Sequence, residues 1–293
     1  MVLADGTIVK LGTETAKDAV GYHLNQLMIG SEGTLAIVAE ADLKLIPKPR
    51  ETALVVAYFN SYSSAINSVN SVLSNGIFPA TIDFMDQNSV KTVEAFLPSG
   101  LYTDKTCLAL FELEGFSSGS VEIQLNNMRE VLKNTGASDV QEVTSKDDKD
   151  RIWTARRSSF AAAVKLAPDV VSDDIIVPRT NLAEMIDWCK IVADEYDLNV
   201  CIVGHIGDGN LHPQFVLDLN DDNQFKNYQS AKSKIYKKVI SLGGTISSEH
   251  GVGLEKISYA QDIIDPNALE YMKSIKKIFD PNNILNPGKI FKI

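Results

Sequence analysis

From residue 53 onward, short apolar runs alternate with amphipathic stretches at nearly even spacing. This rhythm restricts the fold more than any other feature of the chain. Strands are predicted over 53–59, 80–84, 106–114 and 138–144, with helices over 61–74, 87–96 and 118–135 between them. Asn75-Gly76 and Gly136 follow the first and third helices, where a glycine can take the left-handed conformation that ends a helix. Strand–helix units with antiparallel returns predict an α+β fold, a ferredoxin-like antiparallel sheet covered by helices. The pattern then runs through a mostly helical 143–164, a strand over 170–177 stopped by Pro178, and a helix over 182–196. Strands over 199–204 and 211–217 follow, then helices over 223–242 and 268–279. No internal repeat or low-complexity tract interrupts it.

The first fifty residues read differently. Val2-Leu3-Ala4, an Asp5-Gly6 turn and Thr7 to Lys10 predict a short hairpin. Residues 40–46 alternate apolar and polar side chains and predict a strand, ended by Pro47 and Pro49. The proline-flanked stretch 48–52 reads as a linker.

With 293 residues, 44% hydrophobic and 23% charged, the chain can bury a large core in one or two domains. A net charge of -10 disfavours nucleic acid as a partner, since phosphate binding needs clustered Lys and Arg. Cys107, Cys189 and Cys201 are odd in number and widely spaced. They argue for a reducing, cytoplasmic setting and against a disulfide framework or a cysteine-held metal or iron–sulfur site. No apolar run is long enough to span a membrane, and no signal peptide is visible at the N-terminus.

Three of the four histidines fall in two glycine-rich segments, Gly204 to His212 and Ser248 to Gly253. His205 and His212, seven residues apart at the end of one predicted strand and the start of the next, can converge, and Glu249 would complete a His-His-carboxylate set for a divalent ion. A metal-free site, in which the imidazoles hydrogen-bond substrate, is the alternative, and ordinary turn chemistry is the blandest reading. His250 is a candidate general base. Gly30-Ser31-Glu32-Gly33-Thr34 is either a simple turn or an anion-binding loop. Of Arg156 and Arg157, adjacent on a predicted helix, only one can face a site, where a guanidinium suits a carboxylate.

Together these segments resemble the FAD-linked 2-hydroxy acid dehydrogenases of the vanillyl-alcohol-oxidase flavoprotein superfamily. The resemblance is carried by Leu3 to Gly6, Gly30 to Leu35, Ile152-Trp153 to Arg156-Arg157, Gly204 to His212, Glu249 to Gly253 with Lys256, and Asp280-Pro281 through Lys289, in family order. It implies oxidation of a small D-2-hydroxy acid, of lactate or glycolate type, with Cα–H passing as hydride to flavin N5. Gly30, Ser31, Glu32, Gly33, Thr34, Leu35, Ile37 and Asn286 would contact FAD. His205, His212 and Glu249 would hold Zn²⁺, Fe²⁺ or Mn²⁺ where a member has a metal. Arg156 would bind the substrate carboxylate, and His250 would take the hydroxyl proton. The electron acceptor would be a protein or a quinone. Homodimerisation and peripheral attachment at the inner face of a membrane stay open.

The resemblance also implies the domain plan: 1–48 as a C-terminal remnant of the FAD-binding domain, and 49–293 as the cap or substrate domain with its 280–293 tail returning toward the flavin. Ala36 stands where the family has glycine. Family members carry a longer N-terminus with a glycine-rich pyrophosphate loop, so the isolated chain is expected to hold FAD poorly. Two same-fold alternatives are D-2-hydroxyglutarate oxidation and a non-catalytic subunit that needs a separate FAD-domain chain. A flavin-free metal hydrolase is a third.

Overall fold

The computed structural model describes residues 1–292. In chain order the elements are α1 (Leu24–Met28), β1 (Glu51–Phe59), α2 (Tyr62–Ser74), β2 (Thr81–Asp86), α3 (Gln87–Phe96), β3 (Cys107–Gly115), α4 (Ser118–Asn134) and β4 (Asp139–Val143). They continue with α5 (Lys146–Arg157), α6 (Ser159–Ala163), β5 (Asp169–Ser172), β6 (Ile175–Ile176), α7 (Leu182–Glu195), β7 (Asn199–Gly204), β8 (Asn210–Leu217) and α8 (Asp222–Ser241). The last two helices are α9 (Ile257–Ile263) and α10 (Pro266–Phe279). The chain forms two compact units: Met1–Pro47 with Ile246–Ile293, and Lys48–Thr245. Compactness therefore divides the chain at 245–246 as well as at 47–48, whereas the sequence reading places one boundary near 48.

The Lys48–Thr245 unit is built on an antiparallel sheet in the order β4-β1-β3-β2-β7-β8-β5, with β6 also paired to β8. Residues Ala53 to Phe59 of β1 are all buried. Leu54, Val56 and Tyr58 pack with Val90 and Val93 of α3, Ile152 and Ala155 of α5, and Ala162 of α6. Successive strand residues point to opposite faces, so the intervening Ala53, Val55 and Ala57 face the layer to which α2 and α4 belong. A strand covered on both faces reads as a continuous apolar run, and each such Leu, Ile or Phe contributes roughly 1.5–3 kcal/mol on burial. Ser61, Asp86, Ser117, Ser145 and Asp221 cap their helices by accepting a backbone N–H from the first turn.

Two predicted strands come out differently. Residues 170–177 form two short strands separated by Asp173 and Asp174. One register, Ser172 opposite Gln214 and Ile175 opposite Leu211, runs through the gap. Asp173 donates its N–H to the Pro213 carbonyl at 2.9 Å, but Pro213 has no N–H to return, so the ladder lapses there. Residues 40–46 are not a strand. Leu43 and Leu45 are 80% and 87% exposed and no ladder partner is present among the described residues; alternation alone cannot hold an unpaired strand.

In the other unit, the predicted hairpin is present as a bridge between Val2 and Ile8, and Val2 also bridges Ile37. Sequence periodicity missed α1 and α9, which are only five and seven residues long. No helix among the described residues is long and apolar enough to cross a membrane.

Candidate functional site

On the Lys48–Thr245 unit, strand register assembles a polar cluster. Phe84 pairs with Gly204 and Met85 with Val203, so one step further along the same register Asp83 lies opposite His205. Their side chains meet, with His205 Nδ1 2.6 Å from Asp83 Oδ1. Val203 pairs with His212. His205 is two residues beyond Val203, and period-two alternation brings both imidazoles to one face as diagonal neighbours. Their ring centroids are 5.5 Å apart, edge to face. The β5–β8 register likewise sets Asp174 across from His212, with Asp174 Oδ1 4.0 Å from Nδ1. The Asp173 carbonyl is nearer to that nitrogen, at 3.2 Å.

Gly204 lets β7 and β8 approach closely enough for this, and Gly207 lets the connecting turn pack against β2. A Cβ on Gly204 would sit 2.9 Å from Leu211 Cα, and one on Gly207 3.2 Å from Ile82 Cβ. A cavity of about 390 Å³ opens beside His205, lined also by Thr81, Ile82, Arg179, Gly207 and Asp208.

Arg156 reaches the same cluster from α5. It is buried while Arg157 is exposed. Its Nε lies 2.8 Å from Asp83 Oδ2, an ion pair rather than an aligned hydrogen bond, since Nε lacks hydrogen-bond geometry. Burial lowers the Arg156 pKa from its ordinary value, and Asp83 opposes that shift. One carboxylate, Asp83, thus joins a guanidinium and an imidazole. In both histidines Nδ1 is engaged by a protein oxygen, a contact that fixes the orientation of the ring. Asn210 Nδ2 lies 3.5 Å from His212 Nε2.

Sequence reasoning missed Asp83, Asp173 and Asp174. The one available signal was the presence of acids inside otherwise apolar strand segments, Thr81 to Asp86 and Asp169 to Ile176.

The unit containing both chain ends holds the other predicted residues. Gly30 to Thr34 form a turn in which Ser31 Oγ donates to the Met28 carbonyl (2.9 Å) and Thr34 Oγ1 to the Ser31 carbonyl (2.7 Å). Lys276 Nζ, buried, donates to the Thr34 and Leu285 carbonyls at 2.8 Å each and pairs with Asp280. Asn286 Nδ2 donates to the Glu32 carbonyl at 2.5 Å. Beside this turn is a cavity of about 490 Å³ whose walls include Met28, Ser31, Gly33, Ile37, Leu285 and Asn286. Ser31, Gly33, Ile37 and Asn286 are thereby gathered round one opening, while Gly30, Glu32, Thr34 and Leu35 do not line it.

Glu249 and His250 lie on an exposed loop of this unit, with His250 Nε2 3.9 Å from Glu249 Oε1. Glu249 therefore belongs to a different compact unit from His205 and His212.

Comparison with known proteins places this architecture. The glycolate oxidase subunit GlcD of Bacillus subtilis is 37% identical over 291 residues, 99% of this chain and 62% of that protein. A D-lactate dehydrogenase of Anaerostipes hadrus is 34% identical, covering 99% of this chain and 62% of its own length. The chain thus spans about three fifths of the length of these curated relatives. The crystal structure of p-cresol methylhydroxylase has the same fold, with a TM-score of 0.79 over 99% of this chain and 64% of that one, at 15% identity. Residues 48–290 match the family described as FAD linked oxidases, C-terminal domain, and the chain belongs to that family.

Proposed function

We propose that this chain supplies the substrate half of a FAD-dependent oxidation of a D-2-hydroxy acid, of lactate or glycolate type, to the 2-oxo acid. The observation that carries the reading is the Arg156–Asp83–His205 cluster beside His212, in a chain of the FAD-linked oxidase family. A guanidinium and two imidazoles on one face are what an α-hydroxy carboxylate needs: charge for the carboxylate, and hydrogen bonds or a metal for the hydroxyl. The names of the relatives, glycolate oxidase subunit and D-lactate dehydrogenase, support the same substrate class.

The residues fit the cofactor. The 490 Å³ cavity beside the 30–34 turn mixes apolar walls with the Ser31 hydroxyl and the Asn286 amide, a suitable lining for part of a flavin dinucleotide. When bound, FAD supplies the two-electron acceptor. The protein's own part would be to hold the carboxylate at Arg156, orient the hydroxyl at His205 and His212, and take the hydroxyl proton at His250.

A divalent ion on His205 and His212, with Glu249 as third ligand, belongs to the same proposal. Its support is the engagement of both Nδ1 atoms by Asp83 and the Asp173 carbonyl. So does the domain plan, with 1–48 as part of the FAD-binding domain and the remainder as substrate domain, and so does an electron acceptor, protein or quinone, that reoxidises the enzyme.

The test is turnover of D-lactate, glycolate and D-2-hydroxyglutarate by the flavin-loaded protein in a full-length context, with an artificial dye as acceptor. D-lactate or glycolate should be oxidised, and His250→Ala should lower the rate by several orders of magnitude. A preparation holding stoichiometric FAD that oxidises no 2-hydroxy acid would overturn the reading.

A further inference from the structure

Glu32 sits at φ +52°, in the left-handed region that side-chain-bearing residues avoid and glycine or asparagine normally fills. Gly30 and Gly33, in the same turn, also have positive φ. A third glycine would have satisfied the backbone at position 32, so the requirement there is for the carboxylate. That carboxylate has a defined target. Glu32 Oε1 accepts the Val252 N–H at 2.6 Å and Oε2 the Gly253 N–H at 2.8 Å. Two successive amides converge on one anion, as in a backbone anion nest, and the anion here is built into the chain.

The surroundings are shaped for the contact. Gly251 has φ +83°, and a Cβ on it would stand 2.8 Å from Glu32 Oε1. Ser247 Oγ donates to the Gly251 carbonyl at 2.9 Å, and the buried Lys256 ties its Nζ to the Ile246 carbonyl at 2.7 Å. The loop that carries Glu249 and His250 is therefore closed at its base by Lys256 and Ser247, and on its C-terminal side by Glu32. The Glu32 carbonyl meanwhile receives Asn286 Nδ2, and the Thr34 carbonyl receives Lys276 Nζ.

We infer that Glu32 is a positioning residue that clamps the 249–253 loop, and with it His250, to the 30–34 turn. Both oxygens of its carboxylate are engaged in this clamp, and its role is to position the loop rather than to hold the cofactor. The clamp links the turn at the proposed flavin cavity to the proposed base. The functional part of the inference rests on the reading of His250 given above; the clamp itself does not.

Amide hydrogen exchange of the chain, resolved to Val252 and Gly253, tests the clamp without flavin. Glu32→Ala should speed exchange at both amides by tenfold or more, with rates in β1 and β3 unchanged. Glu32→Gln, which keeps one acceptor and the side-chain length, should give an intermediate effect. Unchanged exchange at 252 and 253 in a folded Glu32→Ala would overturn the inference. In the flavin-loaded protein, Glu32→Gln should lower kcat about tenfold or more while KM and the FAD dissociation constant move less than threefold. A raised FAD dissociation constant with intact protection at 252–253 would instead make Glu32 a cofactor ligand. If protection is lost in Glu32→Ala but His250→Ala turns over normally, the clamp stands and the base assignment falls.

Discussion

Replacing Asp83 with asparagine removes the one negative charge shared by Arg156 and His205. The Asp83 side chain is 5% exposed and that of Arg156 10%, so water cannot replace the lost counter-ion. Breaking a buried pair from one side costs about 3–5 kcal/mol. Asparagine can still accept one hydrogen bond, which puts the expected loss near the low end, about 3 kcal/mol. His205 is 41% exposed and adds little after solvent screening. The unit Lys48–Thr245 has 198 residues (245 − 48 + 1), a size at which 1 kcal/mol moves Tm by roughly 2–4 °C. Asp83→Asn should therefore lower Tm by about 6–12 °C in a thermal melt followed by circular dichroism.

Arg156→Met alone strands Asp83, and the double variant strands neither. The cycle should show a coupling of about 2 kcal/mol, with the double variant more stable than the sum of the singles predicts. Additivity within about 0.5 kcal/mol would refute the view that this pair is buried and mutually compensating. Affinity for a 2-oxo acid such as pyruvate, measured by titration calorimetry, should fall tenfold or more in Arg156→Met.

Lys276→Met should destabilise the unit containing both chain ends by about 3–5 kcal/mol, because Asp280 stays buried without its cation; urea unfolding reads this. Burial pushes the Asp280 pKa up, but the Lys276 hydrogen bond and the Leu285 and Ile284 amides outweigh it, and the net value is lowered. Its stabilisation is then complete above the ordinary carboxylate range near about pH 4 and is lost as pH falls through the lowered folded value. Acid titration of wild type against Asp280→Asn should show that difference vanish at the acid end. Burial also raises the thiol pKa values of Cys107, Cys189 and Cys201, so none should react with a thiol reagent at about pH 8 until the protein unfolds. Metal analysis should find about one equivalent of zinc, iron or manganese in wild type and a loss in His205→Ala; a metal-free wild type would remove the ion from the proposal.

Most of the sheet and its helices could be read from the sequence because their signals are local. Alternation, apolar runs and side-chain caps such as Ser61 and Asp221 sit within a few residues of what they specify. The 40–46 segment carried the same local signal without becoming a strand, since a strand also needs a neighbour. The gap between β5 and β6 is caused by Pro213, about forty residues away on the partner strand. The histidines stood out by composition, but Asp83 and Asp174 become their partners only through cross-strand register, which no single segment encodes. In the sequence Glu32 reads only as part of a turn or, by resemblance, as a flavin contact, because its amide partners lie 220 and 221 residues further on.

The most direct test of the central claim is anaerobic mixing of the flavin-loaded protein with D-lactate or glycolate while the flavin absorbance is followed. The account predicts rapid bleaching by the D-2-hydroxy acid in wild type and loss of that reaction in both His250→Ala and Arg156→Met. A flavin that stays oxidised in wild type, or bleaches equally fast in both variants, would contradict it.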